Sequence, residues 1–179
     1  MDVNYFDFYG IPEQLFIDES ELKSKFLAFS KQYHPDFYIN DAEKYEDALE
    51  KSSFNNQAFR ALNSFNSRLA YMLEYYNLVG NTSQKLPQDF LIEMMEINES
   101  IMDLKFEFDA IKQSEIIKKI KELSQNFEQH IHHLSREFDK INPILSENRR
   151  DVLTQLNDIY LKQKYVLRLQ ESLDKFAAP

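Results

Sequence analysis

Residues 22–36 read LKSKFLAFSKQYHPD. Leu22, Phe26, Phe29 and Tyr33 recur at steps of four, three and four. That spacing puts all four on one stripe of an α-helix. Asp18 followed by Glu21 has the form of a capping box with Asp in place of Ser or Thr, and marks the start. Pro35 marks the end, because proline lacks an N–H and disfavours helical geometry in the residue before it. Upstream, the aromatic segment Asn4–Tyr9 is closed by Gly10, the residue suited to the position just past a helix. Downstream, after a polar stretch over 36–44, a second long helix is expected through Leu49, Phe54, Ala58 and Leu62, continuing or bending through Leu69, Tyr71 and Leu73. Residues 80–87, GNTSQKLP, are the concentrated breaker cluster, and the domain boundary is expected there. Three more helices should follow. Phe90, Met94, Ile97, Ile101, Leu104 and Phe108 form one seam; Ile116, Ile120, Leu123, Phe127, Ile131, Leu134 and Phe138 a second, broken near Asn142-Pro143; Val152, Leu156, Ile159, Val166 and Leu173 a third. Short connections favour antiparallel neighbours, so a three-helix bundle is the economical packing.

The composition agrees with an all-α chain. The 179 residues contain two glycines, five prolines, no cysteine and no tryptophan. Phosphate-cradling loops, dinucleotide fingerprints and tight hairpins need glycine where the backbone must turn with positive φ or approach a ligand closely, so a Walker loop or Rossmann site is excluded and a many-stranded sheet is not expected. Without cysteine there is no thiolate catalysis, disulfide or cysteine-held metal or cluster, which fits a reducing cytosol. No apolar run approaches the ~18 residues of a membrane span. The start, MDVNYFDFYG, has neither a signal nor a transit pattern, and a cytoplasmic protein is expected. The net charge of −9, with neither half basic, disfavours nucleic-acid binding.

The first motif with specific content is His34-Pro35-Asp36, at the end of an amphipathic helix. Proline restricts the exit of the chain, so the flanking side chains are presented with little conformational freedom. His34 sits near the negative end of the helix dipole, and Asp36 offers a carboxylate for charge-assisted bonding to an arginine of a partner. KFLAFSKQYHPDF at 25–37, with NNQAFRALNSFNSRLAY at 55–71, resembles a J-domain, the module that activates DnaK-type ATPase chaperones. Asn56, Ala58, Phe59, Leu62, Arg68 and Tyr71 match that family's second helix. Phe37, where a basic residue is common, Phe65, where proline is usual, and Asn55, where an apolar residue is common, depart from it. The resemblance implies that His34, Pro35 and Asp36 engage the chaperone, with Lys23, Lys25 and Lys31 as a basic surface steering toward an acidic patch. Two other readings are a catalytic His34–Asp36 dyad, for which no nucleophile is apparent, and a helix-ending turn with no partner.

The helix from Pro87 carries more apolar residues than its seam uses. Leu91, Ile92 and Met95 lie beside Glu96, Glu99 and Asp103, an apolar knob continued by an acidic strip. Such a face suits a basic-rimmed protein partner, or else it is a wider core face covered by another part of the chain. A J-domain, a short linker and an acidic three-helix domain together resemble the HscB family of iron–sulfur co-chaperones across essentially the whole chain. In that family DFLIEMMEINESIMDL, residues 89–104, corresponds to the patch that binds the scaffold protein IscU. The resemblance implies scaffold binding by Leu91, Ile92, Met95, Glu96, Glu99 and Asp103, with Tyr160 as an aromatic on the last helix. It divides the chain into a J-domain over 1–79, a linker over 80–87 and a scaffold-binding bundle over 88–179. It implies a co-chaperone with no catalytic residues, cofactor or metal, serving a DnaK/HscA-type chaperone. His130, His132 and His133, with Glu137 in register, read as solvated surface rather than a metal site, and Lys118, Lys119 and Lys121 as an ion-pairing face. A J-domain adaptor for a different client, or a helical scaffold with a degenerate J-like segment, are the alternatives.

Overall fold

The computed structural model describes residues 4–79, 86–142 and 146–177, and everything regular among them is helical. In chain order the helices are α1 (Tyr5–Tyr9), α2 (Glu19–Gln32), α3 (Ala42–Leu62), α4 (Phe65–Tyr75), α5 (Gln88–Phe106), α6 (Ala110–Lys140) and α7 (Ser146–Ala177), with a 3₁₀ turn over Pro35–Tyr38. Two compact units result, one of residues 1–77 with 138–142, the other of 78–137 with 143–179. Residues 80–85 of the expected linker, Gly80 among them, and Pro143 lie outside the described residues.

The first unit is built on a hairpin of α2 and α3. Its contacts run in opposite directions along the two helices: Lys51 lies 5.5 Å over the Tyr33 ring, Asn55 meets Ser30, and Phe26 stacks on Phe59 at 4.1 Å. Gly10 closes α1 at φ 58°, a left-handed conformation that costs glycine nothing. The Gly10 and Ile11 N–H groups then reach back to the carbonyls of Asp7 and Phe6. Asp18 caps α2 by accepting from the N–H groups of Ser20 and Glu21, while the Glu21 carboxylate pairs with Lys25. The second long helix of the sequence reading is two helices. Asn63 and Ser64 interrupt it, and Ser64 and Ser67 form the reciprocal capping box that starts α4. The buried Arg68 closes the junction, donating to the carbonyls of Leu62 and Leu15. In α3 the inward face carries Ala48, Asn55, Ala58 and Leu62, while Leu49 is exposed. The Asp139 carboxylate accepts from the backbone N–H groups of Leu15 (2.6 Å) and Phe16 (2.8 Å) within this unit.

The core of the second unit is formed by Met94, Ile97, Ile101 and Leu104 of α5, Ile116 and Ile120 of α6, and Val166, Leu169 and Leu173 of α7. Phe90 packs edge-on to Phe127 and Tyr165, each at 6.1 Å. The expected seams differ from the structure in α7, where Leu153 and Leu169 are buried and Val152 and Ile159 are half-buried, and at the end of α5. Glu107 turns extended at φ −140°, so Phe108 leaves the helix and is exposed rather than continuing the seam. Asp109 accepts from the N–H groups of Ile111 and Lys112 and starts α6.

Candidate functional site

In the first unit, α2 ends at Gln32 and the backbone extends through His34 (φ −71°, ψ 119°) into the 3₁₀ turn, with Pro35 in its first position. The turn is fastened at several points. The Tyr38 hydroxyl donates to the carbonyl of Gln32 at 3.0 Å, satisfying one of the acceptors that every helix C-terminus leaves open. Phe37 N–H donates to the carbonyl of His34 at 3.1 Å, and Asp41 N–H to that of Tyr38 at 2.9 Å. His34 Nδ1 accepts from the Asp36 N–H at 3.3 Å and lies 3.7 Å from an Asp36 carboxylate oxygen. With Nδ1 used as an acceptor, the neutral ring carries its proton on Nε2. His34 and Asp36 are exposed, and the Phe37 ring stands 5.7 Å from that of His34. The tripeptide therefore presents a ring donor and a carboxylate from a turn that is held internally.

The three lysines do not share a face. At ~100° per residue, Lys23 and Lys31 lie about 80° apart, whereas Lys25 lies more than ~100° from either. The Lys25 ammonium is used within the unit, donating to the carbonyls of Tyr9 (2.8 Å) and Gly10 (3.2 Å) at the end of α1 and pairing with Glu21 at 3.1 Å. Between the exposed Lys23 and Lys31 stands Leu27, itself exposed. Leu27 on this face, and Phe37 and Ile39 at the turn after it, are open apolar residues not expected from the sequence to take part. For Leu27 the signal was present: it is out of phase with the stripe of Leu22, Phe26, Phe29 and Tyr33.

Asn55 and Phe65 have defined places. Asn55, almost fully buried, donates from its amide to the Phe26 carbonyl (3.2 Å) and Ser30 Oγ (3.0 Å) and accepts from the Tyr9 hydroxyl at 2.7 Å. It joins α1, α2 and α3 through polar contacts that are all satisfied. Phe65 opens α4 and packs on Phe16 at 5.2 Å, and the capping box makes the helix break that proline would otherwise make.

In the second unit, α5 turns Met94, Ile97, Ile101 and Leu104 inward and leaves Ile92, Met95, Glu96, Glu99 and Asp103 exposed, with Leu91 half-buried at the edge. Asp103 is paired with Lys112 of α6 at 2.9 Å, and Glu93 with Lys119 at 3.2 Å. Tyr160 is on α7, the helix packed against α5. Its ring is half-buried beneath the Lys164 ammonium at 5.3 Å, and burial raises the pKa of its hydroxyl. His133 Nε2 lies 3.4 Å from Glu137 and Lys118 lies 4.0 Å from Glu122. Among the described residues no group of three or more His, Asp or Glu side chains is placed to hold a metal ion. Among the same residues, no helix is long and apolar enough to cross a membrane.

Residues 86–174 match the family model described as the HSCB C-terminal oligomerisation domain. The chain is 32% identical to a co-chaperone protein HscB homolog of Acinetobacter baumannii, over 97% of this chain and 90% of the relative. It is 30% identical to the co-chaperone protein HscB of Buchnera aphidicola, over 90% of this chain and 99% of the relative. Solved structures share the fold. The chaperone HscB from Vibrio cholerae superposes with a TM-score of 0.58 at 22% identity, covering 96% of this chain and 99% of its own. The human co-chaperone protein HscB does so with 0.66 at 21% identity, covering 99% and 84%.

Proposed function

The chain belongs to the HscB family of co-chaperones, and from that premise we propose that it binds an IscU-type iron–sulfur scaffold protein and delivers it to a DnaK/HscA-type chaperone, stimulating the chaperone's ATPase. The observation that carries this reading is the His34-Pro35-Asp36 turn, exposed yet fastened by Tyr38 to the end of α2. A carboxylate and a ring donor held in place before contact lose little entropy on binding. Asp36 takes an arginine of the chaperone in a charge-assisted bond, His34 Nε2 donates beside it, and Lys23 and Lys31 steer the encounter.

The open face of α5 supports the second half of the reading. Leu91, Ile92 and Met95 form an apolar anchor, Glu96, Glu99 and Asp103 meet a basic rim, and Tyr160 contributes from α7. In this scheme residues 1–79 face the chaperone and 88–179 the scaffold, joined through 80–87. Holding both partners on one chain raises the effective concentration of client at chaperone. ATP hydrolysis in the chaperone then traps the scaffold and favours cluster transfer in the cytoplasm, while this chain works by presenting surfaces and is not an enzyme.

The test is the steady-state ATPase of the chaperone with the wild-type chain and with Asp36→Ala. The Asp36 side chain is exposed and lies against the neighbouring His34, so the variant should fold normally. Stimulation is expected to disappear while scaffold affinity, measured by calorimetry, is unchanged. Stimulation that survives the substitution would overturn the mechanism.

A further inference from the structure

The exposed face of α5 does not stop at the residues assigned to the scaffold. At ~100° per residue, Ile92, Met95, Glu96, Glu99, Met102, Asp103 and Phe106 fall within an arc of about 120°. Their apolar members stay open along the whole helix: Ile92 is 49% exposed, Met95 58%, Met102 46% and Phe106 89%. Beyond the helix end, Phe108 (70%) in the connecting turn and Ile111 (74%) in the first turn of α6 are open as well. Connecting turns are ordinarily polar, and two open phenylalanines alone amount to some ~300 Å² of apolar surface, on the scale of the largest apolar patch of an ordinary monomer.

We propose that the scaffold-docking face extends past Asp103 through Met102 and Phe106 to Phe108, and that Lys112 occupies, in the free chain, the place at Asp103 that a basic group of the partner takes on binding. The proposal rests on the reading of α5 given above and names a second anchor for the same partner. Two observations select that occupant. Open apolar side chains recur on one face of the helix, Ile92 and Met95 in its first half and Met102 and Phe106 in its second, with Glu96 and Glu99 between them. The acids interleaved with them ask for a cation, and Lys112 of α6 already sits 2.9 Å from Asp103. A partner with an apolar centre and a basic rim satisfies both, its rings and aliphatics covering Phe106 and its Lys or Arg displacing Lys112.

Calorimetric titration of the purified full chain with an IscU-type scaffold protein tests this. The variants are Phe106→Ala, Phe108→Ala, Lys112→Gln and, as a control on the first anchor, Met95→Ala, with circular dichroism to confirm that each is folded. All four side chains are open or partly open, so the helices should be retained. Phe106→Ala is expected to weaken binding about tenfold and Phe108→Ala somewhat less, as for an apolar anchor. Lys112→Gln is expected to tighten it by about two- to fivefold, the scale of a surface ion pair. Wild-type affinity in Phe106→Ala, with Met95→Ala weakened, places the end of the face before residue 106 and overturns the extension. Unchanged affinity in Lys112→Gln overturns the role given to Lys112. No binding by the wild-type chain overturns the underlying reading itself. A wild-type dimer in sedimentation that Phe106→Ala makes monomeric assigns the surface to a second copy and also overturns the proposal.

Discussion

A buried amide holds together the hairpin that presents the tripeptide. Asn55 stands where the J-domain pattern commonly has an apolar side chain, and in sequence that reads as a departure. In the structure its amide is met by Ser30, the Phe26 carbonyl and the Tyr9 hydroxyl, so a polar residue costs little there. The partners come from α1 and α2, distant in sequence, and no local pattern announces them. Buried tyrosines of the same unit set a response to alkaline pH. Burial pushes the Tyr9 hydroxyl well above the ordinary tyrosine range and that of Tyr71 up to about 12. Because the folded chain favours the protonated hydroxyls, their contribution is complete below the unfolded pKa of ~10 and is lost as pH rises through the folded values. The urea midpoint of the first unit is therefore expected to fall above pH ~10. Tyr9→Phe, whatever its stability at neutral pH, should make that fall shallower. An unchanged alkaline slope would count against the assignment.

At the scale of the helix, the deciding features are ends and phase. Periodicity marked the helices, but Leu49 and Phe108 were assigned to stripes that the structure leaves exposed. Apolar spacing cannot choose between Ala48 and Leu49, because alanine is small enough to fit where α3 approaches its neighbours closely, and only the packing partner settles which faces inward. The break between α3 and α4 was legible as "continuing or bending", and the local chemistry that makes it is the Ser64–Ser67 capping box with Arg68 on the Leu62 carbonyl. Removing the cap with Ser64→Ala is expected to cost about 1 kcal/mol, seen as a lower urea midpoint with an unchanged m-value. No loss would show that Arg68 alone holds the junction.

Over the molecule as a whole, a net charge of −9 would, on the proposed reading, favour long-range attraction to a basic scaffold partner. Scaffold association is expected to slow as ionic strength rises, with dissociation little changed, in stopped-flow measurements. Neutralising the stripe with Glu96→Gln and Glu99→Gln should flatten that salt dependence; an equal dependence in the variant would remove these acids from the docking face. By itself the sequence determined the helical class, the approximate helices, the presented His34-Pro35-Asp36 and the surplus of apolar residues on α5. These are local properties: few glycines, a 3.6-residue period, a proline at a helix end and more apolar side chains than one seam can bury. Tertiary structure alone decided that Lys25 closes α1 while Lys23 and Lys31 face outward, that Asn55 is a clamp, that Asp103 is held by Lys112 and that Phe106 and Phe108 stand open. Each of those depends on what another helix brings within hydrogen-bonding or van der Waals range, and the pattern of one helix contains no record of its neighbour.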